Sequence, residues 1–157
     1  MTMTDIDKAH LRRCIELAAE AVERGDDPFG SLLVGADGEV LAERSNEVCT
    51  TGDVTAHPEL ALASWASRHL SAEVRAQATM YTSGEHCAMC AAAHVWAGIG
   101  RLVFVLSGEM IRQFGSAEAV SIDLSAREVV ARSNVDVQVD GPCEELVEAA
   151  GGLFGEG

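Results

Sequence analysis

The chain has 157 residues, with 11 Lys+Arg against 25 Asp+Glu and a net charge of −14. That length fits one domain, here residues 1–157, and 48% hydrophobic with 23% charged residues is a globular composition, not that of a disordered acidic tail. A surface this acidic, with no basic run longer than Arg12-Arg13, repels phosphate backbones and anionic headgroups, so neither nucleic acid nor membrane is an expected partner.

The apolar residues Ile6, Leu11, Ile15, Ala18, Ala19 and Val22 recur at helical spacing over residues 4–24, and Gly25 supplies a stop. Residues 31–34 and 39–43 are β-rich runs joined by Ala36-Asp37-Gly38, whose Asp-Gly pair predicts a hairpin. A polar loop over 45–55 leads to Ala56-His57-Pro58-Glu59 and a helix to about residue 70, with Pro58 suited to the first helical position. A strand is expected over 78–82, then a helix over 87–97 closed by Gly98. The unbroken apolar run within 101–106 predicts a strand covered on both faces. Helices are expected over 109–115, 125–132 and 144–150, with an alternating strand over 135–139. The glycine-rich tail, 151–157, is expected to be mobile unless a pocket holds Phe154.

No apolar stretch reaches the roughly 20 residues that span a bilayer, and residues 1–10 are too polar for a secretory leader, so a cytoplasmic location is expected. Five cysteines are an odd number for a disulfide framework, which points to metal or catalytic roles. The informative set is His57 and Glu59 at one helix start with Cys87 and Cys90 at another. Three N/S ligands plus water is the count of a catalytic zinc site, and cysteines three apart in a first helical turn share a face at its positive end. His57 is the expected third ligand, and Glu59 is placed to shuttle a proton to and from the water. A redox dithiol or half of a structural zinc ribbon would also explain the cysteines. The first leaves His-Pro-Glu idle, and the second lacks another close cysteine pair.

With these residues in place, the chain resembles the zinc-dependent deaminases of the cytidine deaminase superfamily, whose His-x-Glu and Pro-Cys-x-x-Cys signature is known. Pro28-Phe29-Gly30, Asn46, Thr55-Ala56-His57, residues 81–85 and Trp96-Ala97 are similar to the guanine deaminase branch, over roughly residues 11–106. The resemblance implies a three-layer α/β/α fold around a mixed five-stranded sheet, and a homodimer. It also implies hydrolytic deamination of a free nucleobase or close analogue, guanine-type first, with isocytosine, cytosine and aminotriazine rings as alternatives. Zn2+ would be held by His57, Cys87 and Cys90, with Glu59 catalytic.

By the same resemblance Asn46 reads the substrate, against a turn asparagine bonding its own backbone. Phe29 and Trp96 are pocket or core residues, Ala56 and Gly84 turn backbone toward the substrate, and Phe154 is the late aromatic. Gly30 reads as a close-packing position. Pro58 replaces the usual Ala of His-x-Glu, and His86 and Ala88 replace two prolines. His86 reads as a helix-start residue pointing away from the metal, or as a polar group near the pocket mouth, and His94 as a core or interface histidine. Cytidine, deoxycytidylate or tRNA adenosine deamination, and a non-enzymatic zinc scaffold or redox dithiol, are the competing functions.

Overall fold

The computed structural model describes residues 3–116 and 118–155. Helix α1, Asp5–Arg24, starts at a reciprocal cap in which Thr4 and Asp7 exchange side-chain and backbone bonds, and Gly25 ends it with φ 92°. The hairpin follows as β1, Gly30–Val34, and β2, Val40–Ser45. After a short helix α2, Val48–Thr51, come α3, Pro58–His69, and a second short helix α4, Ala72–Ala76. Strand β3, Thr79–Gly84, leads to α5, Ala88–Ala97, and β4, Arg101–Leu106. The chain closes with α6, Gly108–Phe114, α7, Ala126–Ala131, β5, Gln138–Asp140, a 3-10 turn Glu144–Leu146, α8, Val147–Gly151, and a last 3-10 turn Gly152–Phe154.

The strands form one mixed sheet in the order β2-β1-β3-β4-β5. β1 runs antiparallel to both neighbours, whereas β3, β4 and β5 are parallel. Alternate residues explain the three layers. Leu32, Val34, Val103 and Val105 meet Leu11 and Cys14 of α1 with Leu146 and Ala150 of the C-terminal segment. Leu33 and Met80 meet Leu62 and Ala66 of α3, and Leu102 and Phe104 meet Ala91 of α5 and Ala126 of α7. The apolar run in β4 is therefore an interior strand feeding both faces, as expected.

Gly30 packs α1 against the sheet: a Cβ there would enter the Cys14 carbonyl, the Leu17 side chain and the Ala18 nitrogen. Arg101 ties α1 to the sheet by bonding both oxygens of buried Asp7, at 2.9 and 3.1 Å, and Asp140 at 3.0 Å. Tyr81 donates to Asp7 at 2.6 Å. Burial opposes the Asp7 charge, but Arg101 and Tyr81 together hold its carboxyl well below the ordinary range.

Two expectations change in extent. The last strand spans 138–140, where β4 offers parallel partners from Arg101 to Val103, while Ser133 Oγ bonds Val130 and Val135 and keeps the preceding residues in a turn. Over its described residues, the C-terminal tail docks on its own chain: Phe154 meets Phe29 edge-on at 5.6 Å and stacks on Phe114 at 6.0 Å, while residues 156–157 lie outside the described residues. The short helices α2 and α4 fall in segments whose sequence carries no apolar period.

Candidate active site

His57 and Cys87 are the N-cap residues of α3 and α5, two helices that pack side by side on one face of the sheet. Pro58 occupies the first turn of α3, which places Glu59 in that turn and inside the protein. In α5, Cys90 lies one turn after Cys87, and the positive helix end faces both sulfurs. Residues 30 positions apart in sequence thus converge. His57 Nδ1 lies 3.6 Å from Cys87 Sγ and 3.5 Å from Cys90 Sγ, and the three ligand atoms all lie within 4.8 Å of one another.

That spacing can be tested against a metal. Zn–S near 2.3 Å and Zn–N near 2.0–2.1 Å at a tetrahedral angle require an N···S separation of about 3.5–3.6 Å. Both distances meet the requirement, so the donor set could hold a zinc ion with one coordination position to spare. The electrostatics favour a thiolate at Cys87. The Cys90 Sγ–H and the His57 ring pull the Cys87 thiol down to about 4, so a thiolate is favoured. The same contact with Cys87, together with burial, pushes the Cys90 thiol up. Hydrogen bonding to Cys87 raises His57.

Glu59 is 6% exposed. Burial pushes its carboxyl up to about 7, against the pull of the neighbouring His57 ring. Its Oε1 lies 3.3 Å from Ser31 Oγ on β1. A carboxyl that gains and loses a proton near neutral pH suits acid–base work.

Asn46 is buried just after β2 and makes the turn contact. Its Oδ1 accepts from the Val48 N–H at 2.9 Å, the turn contact, and this fixes the amide so that Nδ2 is left with no protein partner among the described residues. Arg24 steadies the loop by donating to the Asn46 carbonyl at 2.7 Å, and the Asn46 N–H donates to the Phe29 carbonyl at 3.0 Å. Phe29 packs over Gly84, where a Cβ would lie 2.9 Å from its ring, so the Gly84 position is closed by Phe29. Phe154 reaches the region through Phe29. The Ala56 backbone is engaged within the chain: its N–H donates to Asp53 and its carbonyl accepts from Glu47.

Trp96 corrects one expectation. It is 85% exposed and belongs to no core, because the buried stripe of α5 runs through Cys90, Ala91, His94 and Ala97, and Trp96 lies on the other side of the helix. His86 and His94 form a buried pair: His86 Nε2 lies 3.0 Å from His94 Nδ1, and His94 Nε2 lies 3.1 Å from the Ile99 carbonyl. Only a donor can face a carbonyl, so the proton of His94 sits on Nε2 and His86 donates from its own Nε2. Among the described residues, His86 Nδ1 has no hydrogen-bond partner. Cys14 and Cys143 are buried, and Cys49 is exposed on α2.

Sequence reasoning missed Ser31, Thr82 and Arg24. The available signal was Ser31 itself, a hydroxyl heading a strand in which every position is buried, since such a group requires an internal partner.

The MafB19-like deaminase family matches residues 5–147. The probable cytosine deaminase of Schizosaccharomyces pombe is 32% identical over 145 residues, 89% of this chain and 86% of that protein. The guanine deaminase of Bacillus subtilis is 41% identical over 88 residues, 55% of this chain and 56% of that protein. A tRNA-specific adenosine deaminase of Agrobacterium fabrum is 41% identical over 87 residues, 55% of this chain and 57% of that protein. Among solved structures, the guanine deaminase from Nitrosomonas europaea has a TM-score of 0.73 at 21% identity, covering 98% of this chain and 84% of that one, a likeness of fold.

Proposed function

The chain belongs to the MafB19-like deaminase family, and on that premise we propose that it is a zinc-dependent aminohydrolase acting on a free nucleobase or close heterocyclic analogue, guanine-type first. The observation that carries this reading is the buried Glu59 in the first turn after His57, beside a His57–Cys87–Cys90 set whose N···S spacings of 3.5 and 3.6 Å fit tetrahedral zinc. When bound there, zinc supplies Lewis-acid activation of a water molecule.

The chain's own residues do the rest. Glu59 accepts the proton of the attacking water as its oxygen bonds to the ring carbon that bears the exocyclic amine. It then delivers that proton to the amine nitrogen and the C–N bond breaks, releasing ammonia, while the remaining hydroxyl hydrogen passes to the adjacent ring nitrogen and leaves a ring carbonyl. Asn46 Nδ2 donates to a ring acceptor and fixes the ring's orientation, with Phe29, Ala56, Gly84 and Phe154 forming the surround. The whole chain acts as one catalytic domain. A homodimer finds support in Trp96, an indole left 85% exposed on α5, the helix that Cys87 caps and that contains Cys90.

A free base is favoured by the charge of −14, which repels a polyanion. The second reading, tRNA adenosine deamination, is favoured by the Agrobacterium fabrum relative at 41% identity. Ammonia release is to be measured with guanine, cytosine, isocytosine, adenine and aminotriazines, alongside gel-shift binding of tRNA at moderate salt. Turnover of a free base without tRNA binding is expected, and tRNA binding with no free-base turnover overturns the reading. Glu59→Ala keeps one zinc per chain and loses about 10²–10⁴-fold in turnover; an active Glu59→Ala protein would remove Glu59 from the mechanism.

A further inference from the structure

Glu59 is joined to a line of buried hydroxyls that runs across two strands. Ser31 and Thr82 are register partners on β1 and β3, so their side chains stand side by side on the sheet face that carries α3. Ser31 Oγ lies 3.3 Å from Glu59 Oε1 and 2.8 Å from Thr82 Oγ1, and Thr82 Oγ1 lies 2.9 Å from the Gly84 carbonyl. Both hydroxyl residues are 0% exposed, so bulk water does not compete for them.

Each hydroxyl has a single hydrogen, so the three contacts cannot all be made in any one direction unless Glu59 contributes a hydrogen of its own. With Glu59 as a carboxylate, Thr82 donates to Ser31 and Ser31 donates to Oε1, while the Gly84 carbonyl loses the Thr82 hydrogen. With Glu59 as the acid, the line reverses: Glu59 donates to Ser31, Ser31 to Thr82, and Thr82 to the Gly84 carbonyl. Reversal needs only rotation of two hydroxyls. No bond of Ser31 or Thr82 is made or broken, and no proton leaves Glu59 by this route.

We infer that Ser31 and Thr82 form a hydrogen-bond line that keeps the Glu59 carboxyl in one orientation toward the attacking water and the leaving nitrogen. Ser31 is the positioning residue in contact with Glu59, and Thr82 acts through Ser31. An apolar residue at position 31 would remove the hydroxyl contact to Oε1 and loosen the orientation of the carboxyl toward the water and the amine. The inference rests on the deaminase reading above for its reaction, and on the three distances for its geometry.

The test is a double-mutant cycle on the zinc-loaded protein with Ser31→Ala, Thr82→Val and the pair, and with Glu59→Ala and Glu59→Gln alongside. Ser31→Ala is expected to lower kcat about tenfold, the effect of one hydrogen bond to a charged group, with KM and zinc content unchanged. Thr82→Val lowers kcat less, and adds no further loss when Ser31 is already Ala, because its effect passes through Ser31. By infrared difference spectroscopy, the carboxyl band that Glu59→Gln removes shifts in Ser31→Ala, whether it is the acid or the carboxylate band. Wild-type kcat in Ser31→Ala, an unmoved band, or additive losses in the double variant would overturn the inference while an inactive Glu59→Ala leaves the deaminase reading standing. Undiminished turnover in Glu59→Ala would instead overturn the role of Glu59, and the line with it.

Discussion

The buried imidazole pair of His86 and His94 makes stability depend on pH below about 6.5. Burial lowers the His94 pKa from 6.5 to about 4, and lowers His86 as well, with the neighbouring His94 ring as the second cause. A folded pKa below the unfolded one means that the unfolded chain binds the proton more readily. The stability is therefore fully present above about pH 6.5 and is lost as pH falls toward 4. Between pH 7 and pH 5 an unfolded His94 takes up most of one proton and a folded one almost none, which amounts to ~2 kcal/mol at 1.36 kcal/mol per pKa unit. The perturbation is His94→Gln, which keeps a polar side chain but removes the titration. Urea unfolding of both zinc-loaded proteins at pH 7 and pH 5 reads the effect. The variant is the less stable of the two at pH 7, and the gap narrows by about 2 kcal/mol at pH 5, an approach of the midpoints by ~1 M urea at an ordinary m-value. A gap that stays constant between the two pH values would refute the claim that His94 is held neutral in the folded state.

Two further outcomes follow from the geometry. Cys90→Ala removes one of three converging ligands, and metal analysis after dialysis should fall from one zinc per chain to a small fraction of that, with turnover lost in parallel; retention of stoichiometric zinc would remove Cys90 from the ligand set. Gly30→Ala drives a methyl into the α1 backbone, which cannot yield as a side chain would, and should cost about 3 kcal/mol in chemical denaturation, whereas Gly152→Ala, with no atom within 4 Å of the added methyl, should stay within ~0.5 kcal/mol of wild type.

Much of the fold was legible in the residues because the signals are local. Thr4, Gly25 and the apolar period between them define α1; Asp37-Gly38 defines the hairpin; Pro58 and Gly98 bound the helices that carry the site. The grouping of His57, Cys87 and Cys90 was legible for the same reason, since each stands at a helix start that the sequence marks. The extent of β5 was less legible. A strand of three residues is fixed by the partners β4 offers and not by its own alternation. Trp96 read as pocket or core by its resemblance to the guanine deaminase branch, yet the direction in which it points depends on which stripe of α5 faces the sheet.

The sequence by itself determined the elements, the donor types and the charge, because caps, turns, periodicity and ligand chemistry depend on residues within a few positions of one another. Only the tertiary structure decided which groups meet. It brings the His57 nitrogen to 3.5–3.6 Å from two sulfurs in another helix, and it buries Glu59 against Ser31 of a strand 28 positions earlier. It pairs His86 with His94, and seats Phe154 on Phe29 across almost the whole length of the chain. Those contacts arise from packing two helices onto one face of a twisted sheet and folding the C-terminus onto the other elements. No local pattern encodes the resulting distances, because each is set jointly by segments far apart in the chain.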